Sequence, residues 1–165
     1  MTRTLILTRH AKSSWDHPAL DDHSRPLNKR GRASAKAIGG WLSDKHYLPD
    51  AVLSSDSIRT RETWDRMGLT ATQTVFTRDL YHAHAQGMMH ALNQARRQCV
   101  LMLGHNPGIA HFAEQLVKAP PPHDRFFDYP TCATTVIAFA VEDWADVTWQ
   151  EGTVLDFVIP RELLE

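Results

Sequence analysis

Cysteine is nearly missing from this 165-residue chain: only Cys99 and Cys132 occur, far apart and each in an apolar stretch. Neither a CxxC pair nor a Cys/His zinc spacing accompanies them. A disulfide framework and a thiolate metal site are therefore excluded, and both thiols read as small buried hydrophobes. No window approaches the roughly 18 apolar residues that a membrane span needs. The N-terminal apolar run is too short for a secretory h-region and meets Arg9 at once. An excess of either charge is also lacking: Lys and Arg number 18 against 19 Asp and Glu, for a formal net charge of -1. That balance argues against a nucleic-acid binder, which would carry a basic patch or stripe. GxxxxGK[ST], GxGxxG and HExxH are all missing, as are repeats, linkers and low-complexity tracts.

These absences leave an expectation of one domain over residues 1–165, soluble and cytoplasmic, with no membrane, nucleic-acid or metal partner. A chain of this length buries roughly 70% of its extended surface on folding, enough for a core without staples. Hydrophobic content of 42% and charged content of 22% are ordinary for a globular protein, and the five tryptophans read as core. Ten histidines is a high count. Most must be surface or structural, so only their positions carry information.

What is present is an alternation of short apolar runs with helical patterns. Residues 4–8 (TLILT) read as a buried strand ending in Arg-His, and 13–26 as a polar loop. Residues 28–45 are helical, with Ala33, Ala37, Ile38, Trp41 and Leu42 on one face, although Gly39-Gly40 interrupts the pattern. A strand at 51–53 leads through Ser54-Ser55-Asp56-Ser57, a capping cluster, into a helix ending near Met67. A third strand is expected at 73–77, a helix at 85–97, and the most convincing buried strand at 99–103. The next helix runs to about Val117, and 119–130 is a Pro-rich loop. Residues 134–141 and 147–159 read as closing strands, the second broken at Glu151-Gly152 like a hairpin. This order favours a three-layer α/β/α sandwich around a mixed, mostly parallel sheet.

Ligands of such sheets gather beyond the carboxyl ends of the strands. Three junctions lie there: Thr8-Arg9-His10, the run from Ser54 to Arg59, and Gly104-His105-Asn106-Pro107-Gly108. Each alone also reads as ordinary structure: a capped strand, a solvated helix Arg, a turn before a helix. Together they bring two histidines and two arginines to successive strand ends, which converge only if the strands are neighbours. A phosphoryl group suits such a pocket. The guanidinium fork matches phosphate oxygens bidentately, and phosphoryl transfer depends mainly on positioning and charge. A neutral imidazole held in line with phosphorus can act as a covalent nucleophile.

The run Leu7-Thr8-Arg9-His10-Ala11-Lys12-Ser13-Ser14-Trp15 resembles the signature of the histidine phosphatase superfamily, whose fold is called phosphoglycerate mutase-like. The usual third residue, Gly, is Ala11 here, as in the SixA-like phosphohistidine phosphatases. The segments Asp22 to Asn28 with Gly31, Ser54 to Arg59, Glu62-Thr63, and Gly104 to Gly108 agree in order and spacing. The resemblance implies His10 as the phosphorylated nucleophile and Arg9 and Arg59 as clamps on the phosphoryl oxygens. It assigns His105 a further hydrogen bond to those oxygens. For the general acid it offers only His82 or Asp79, since the stretch from Asp79 to His84 has no Glu. Arg61 reads as surface. No cofactor is implied, because arginines supply the charge that a metal supplies elsewhere. The implied substrate is a protein phosphohistidine. A small phosphorylated metabolite such as a sugar phosphate or nucleotide is the alternative, and a non-catalytic module for phosphorylated ligands is a third reading.

Overall fold

A strand that is apolar on both faces needs a layer of helices on each side. A computed structural model, which describes residues 1–164, has that arrangement. The strands are β1 (Arg3–Arg9), β2 (Ala51–Ser55), β3 (Gln73–Thr77), β4 (Cys99–Gly104), β5 (Thr134–Phe139) and β6 (Thr153–Val158). The helices are α1 (Lys29–Asp44), α2 (Ile58–Met67), α3 (Ala85–Asn93) and α4 (Gly108–Leu116). All six strands form one sheet in the order β3-β2-β4-β1-β5-β6. The first four are parallel, β5 runs antiparallel to β1, and β6 antiparallel to β5. The sheet is thus mixed and mostly parallel, with helices on both faces. Among the described residues no helix is long and apolar enough to cross a membrane.

Alternation along β1 and β4 divides the core in two. Leu5, Leu7, Val100 and Met102 face α3 and α4, packing with Met88, Leu92, Phe112 and Leu116. Ile6, Leu101 and Leu103 face the other way, onto Ala35, Ile38 and Leu42 of α1 and Met67 of α2. Local chemistry sets the helix starts. The Asn28 side chain accepts from the Gly31 amide at 2.8 Å, and the Ser57 hydroxyl accepts from the Thr60 amide at 3.3 Å. Both satisfy N–H groups that the helix leaves unpaired.

Several sequence expectations need correction. The buried face of α1 is Gly31, Ser34, Ala35, Ile38, Gly39 and Leu42, and Ala33 is exposed. The helix packs on α2 as well as on the sheet, and Gly39 is what permits this: a Cβ there would lie 1.9 Å from the Met67 carbonyl oxygen. Helix α3 stops at Asn93, not Arg97, because the amides of Gln94 and Ala95 turn back onto Ala91 and Leu92. No strand covers 147–152. There the amides of Gln150 and Gly152 donate to Gln115 and Leu116 at the end of α4, so the hairpin joins β5 to β6. Of the tryptophans only Trp144 is buried, and Trp15 is 77% exposed. Cys132 is buried, but Cys99 is only half-buried.

The two adjacent glycines of α1 should respond oppositely to alanine. Gly39→Ala forces backbone apart and should cost about 3 kcal/mol. Gly40 faces open space, so Gly40→Ala should add about 0.5–1 kcal/mol through helix propensity. Urea unfolding of the two variants measures both.

Candidate active site

Register brings the first and third junctions together. Arg9 of β1 pairs with Gly104 of β4, and the His10 amide donates to the Gly104 carbonyl at 3.1 Å. His10 and His105 therefore leave neighbouring parallel strands at the same level, with ring centroids 5.2 Å apart. Strand β2 flanks β4 with Ser54 opposite Leu103, which delivers Ser55 and, in the first turn of α2, Arg59 to the same place. The resulting cleft, of about 350 Å³, is lined by Arg9, His10, Arg59, His82 and His105. Lys12, Trp15, Asp22 and Arg25 complete much of its rim. Asp79 is not among its lining residues. It is exposed on a short 3-10 turn, its amide capped by Thr77. Arg61 is exposed and stacks on Phe76.

Hydrogen bonds fix the tautomer of each buried histidine. His10 Nδ1 lies 2.7 Å from the Ala11 carbonyl oxygen, which only accepts, so Nδ1 carries the proton and Nε2 keeps a lone pair. The Ala11 amide in turn donates to Thr63 Oγ1, which donates to the Arg59 carbonyl. His105 Nδ1 faces Arg59 Nη2 at 3.2 Å, and a guanidinium only donates. His105 Nε2–H then donates to Ser55 Oγ at 2.8 Å. Both imidazoles are thus neutral. Burial, reinforced by Arg9, Arg59 and Arg25, pushes His10 down to about 3 against the opposing Ala11 bond. Burial, followed by His10 and Arg59, pushes His105 down to about 2. In this arrangement His105 adds no positive charge, and both its nitrogens already have protein partners.

The cations are held from behind. Arg9 Nη1 donates to the Tyr129 carbonyl at 3.1 Å, while its buried Nε has no partner. Tyr129 is anchored by its hydroxyl, which donates to the Leu7 carbonyl at 2.6 Å. Arg25 is buried, bonded to the Ser14 carbonyl and Ser13 Oγ, and stacked 3.4 Å from the Trp15 ring centroid. The main feature that residue-by-residue reading missed is Asp22. Its carboxylate receives Arg59 Nη2 at 2.9 Å, Arg25 Nη1 at 2.9 Å, the Tyr81 hydroxyl at 2.5 Å and His82 Nε2 at 2.9 Å. These donors, with the Arg59 charge, outweigh its desolvation and hold it far below the usual carboxylate range. The resemblance marked the Asp22 segment but gave that residue no role. Among the described residues no cluster of three or more His, Cys, Asp or Glu could hold a metal ion.

A cleft with a neutral imidazole and three buried or half-buried guanidinium groups is suited to a tetrahedral anion. The family model of the histidine phosphatase superfamily (branch 1) matches residues 5–82. An uncharacterized protein of Mycobacterium tuberculosis is 31% identical over 160 residues, covering 93% of this chain and 99% of that protein. The chain belongs to the histidine phosphatase superfamily. An uncharacterized chloroplastic protein of Arabidopsis thaliana is 35% identical over 133 residues, 72% of this chain, and that match spans only 61% of the plant protein. A solved structure from Nakamurella multipartitia, described as a candidate phosphohistidine phosphatase SixA, is 27% identical. It aligns at a TM-score of 0.84 and covers 97% of both chains.

The histidine environment predicts acid sensitivity. An unfolded histidine titrates near 6.5, well above either buried imidazole. Between about pH 6.5 and 3 the unfolded chain therefore binds more protons, so stability is complete above 6.5 and falls as pH falls. Each residue contributes a slope of up to about 1.4 kcal/mol per pH unit. Urea unfolding from pH 7 to 4.5 should show a shallower decline in the His10→Gln/His105→Gln variant than in the parent. Equal slopes would contradict the neutral assignment.

Proposed function

We propose that this protein is a phosphatase that works through a phosphohistidine intermediate on His10, with a protein phosphohistidine as its substrate. The observation that carries the reading is the His10 tautomer: Nδ1–H is committed to the Ala11 carbonyl, so Nε2 is free in a cleft lined by arginines. In the first step Nε2 attacks phosphorus in line, a new N–P bond forms, and the bond to the leaving group breaks. Arg9 and Arg59 hold the phosphoryl oxygens as charge develops. His105, whose only N–H is on Nε2, donates to the same oxygens once a ligand takes the place of Ser55. Water then cleaves the N–P bond on His10 and releases inorganic phosphate.

His82 is the titratable side chain of the cleft that stands apart from this clamp. It is half-exposed, bonded to Asp22, and its ring lies 4.7 Å from that of His105. It is the acid of this proposal, in preference to Asp79, which stands outside the cleft lining. The imidazole that leaves a phosphohistidine is a far weaker base than an alkoxide and departs with less help from an acid, so an exposed imidazole suffices in place of a carboxyl. The substrate class is supported by the likeness to the SixA-type structure. A cytoplasmic location is part of the same reading.

Three measurements test it. His10→Ala should abolish both turnover and a trapped phosphoryl group, and retained activity would overturn the mechanism. Arg59→Ala should lower kcat by about 10²- to 10³-fold, the scale for losing a transition-state donor. His82→Gln should slow esters with poor leaving groups far more than p-nitrophenyl phosphate. Rates on a phosphohistidine-bearing protein and on a panel of small phosphoesters then rank the substrates. A strong preference for one ester would replace the substrate and leave the chemistry intact.

A further inference from the structure

Lys12 borders two concavities. One is the cleft described above. The other, of about 470 Å³, is lined by Lys12 with Arg30, Ser34, Arg125, Thr131 and Arg161, and no acidic residue lines it. The two share Lys12 and Thr131, so they adjoin. The cations come from four separate places: the loop after β1, the first turn of α1, the segment before β5, and the 3-10 turn Pro160–Glu162. Arg125 pairs with Asp128 at 2.9 Å. Among the described residues Lys12, Arg30 and Arg161 make no ion pair. A chain of net charge -1 thus collects four cations around one concavity with a single carboxylate partner. A polar concavity lined by one sign of charge focuses its field into the cavity and concentrates counter-ions there. Paired guanidinium groups suit carboxylate and phosphate oxygens alike.

We propose that this concavity is a second anion subsite, which takes a further phosphate or carboxylate of the molecule whose scissile phosphoryl group reaches His10. The subsite rests on the phosphatase reading and narrows its substrate class. The preferred substrate carries two anionic groups, one on each side of Lys12. On a phosphorylated protein the second is an Asp or Glu near the phosphohistidine, and on a metabolite it is a second phosphate.

The test uses the Arg30→Ala/Arg161→Ala variant, which leaves the catalytic cleft untouched. Its kcat/KM is compared with that of the parent on p-nitrophenyl phosphate, on 1,6-hexanediol bisphosphate, and on phosphohistidine peptides flanked by Glu or by Gln. The subsite requires a loss of at least about tenfold, one pairing contact at about 1.4 kcal/mol, on a two-anion substrate. The change on p-nitrophenyl phosphate and the Gln peptide should stay within twofold. A loss confined to the Glu peptide assigns the group to a protein, and one confined to the bisphosphate assigns it to a metabolite. Equal losses on all substrates, or none on any, overturn the proposal. If the parent hydrolyses nothing, the phosphatase reading fails. The subsite is then judged separately by titrating inorganic phosphate into orthovanadate-saturated protein. Side-chain Nε–H signals of Arg30 and Arg161 shift if it exists and stay fixed if it does not.

Discussion

The parallel pairing of β1 with β4, and Arg9 with Gly104 in particular, is the constraint on which the site depends. A one-residue slip would turn every side chain of β1 to the opposite face of the sheet and separate His10 from His105. Register is held by the two-sided core, since Leu5 and Leu7 pack on one layer and Ile6 on the other. It is held again beyond the strand end, where the Cys132 amide bonds the His10 carbonyl and the Arg9 amide bonds the Ala133 carbonyl. The hydrophobic layers and the polar cleft are therefore one problem for the chain. Packing that places the leucines also places the imidazoles.

Burial does chemical work in the cleft. Desolvation would penalise a charged imidazole at either position, and the neighbouring guanidinium groups add to that penalty, so both histidines stay neutral where a nucleophile must hold a lone pair. The guanidinium groups are charged by nature, and backbone carbonyls and Asp22 receive their N–H groups. One environment thus keeps the proposed nucleophile uncharged and its surroundings positive, which are complementary demands of attack on an anion.

Much of this was legible in the chain. The three polar junctions, their residue types and the mixed α/β order follow from runs such as TLILT and CVLML that end abruptly in Arg-His or Gly-His. Convergence was not legible, because it depends on β4 lying between β2 and β1, and sheet order leaves no local trace. The face of α1 was misread for a related reason. Gly31 and Gly39 are buried for close approach to neighbouring elements, which a hydrophobic pattern does not record. Trp15 shows the opposite failure: its ring lies on the Arg25 guanidinium at the surface, although residue type alone suggests core. Asp22 was invisible as a functional group because its partners lie 3 to 60 residues away.

The position of Asp22 has a consequence for how the cleft fills. Arg59 already has a carboxylate on it, so on the proposed function a phosphate would meet an occupied cation and binding would be an exchange of one anion for another. Its free energy is a difference between two strong contacts. Weakly coordinating anions such as chloride lose that contest, whereas a doubly charged tetrahedral group has the charge and the geometry to win it. On the proposed function the same competition would run in reverse at the end of a cycle, with the Asp22 carboxylate returning to the arginine as phosphate leaves.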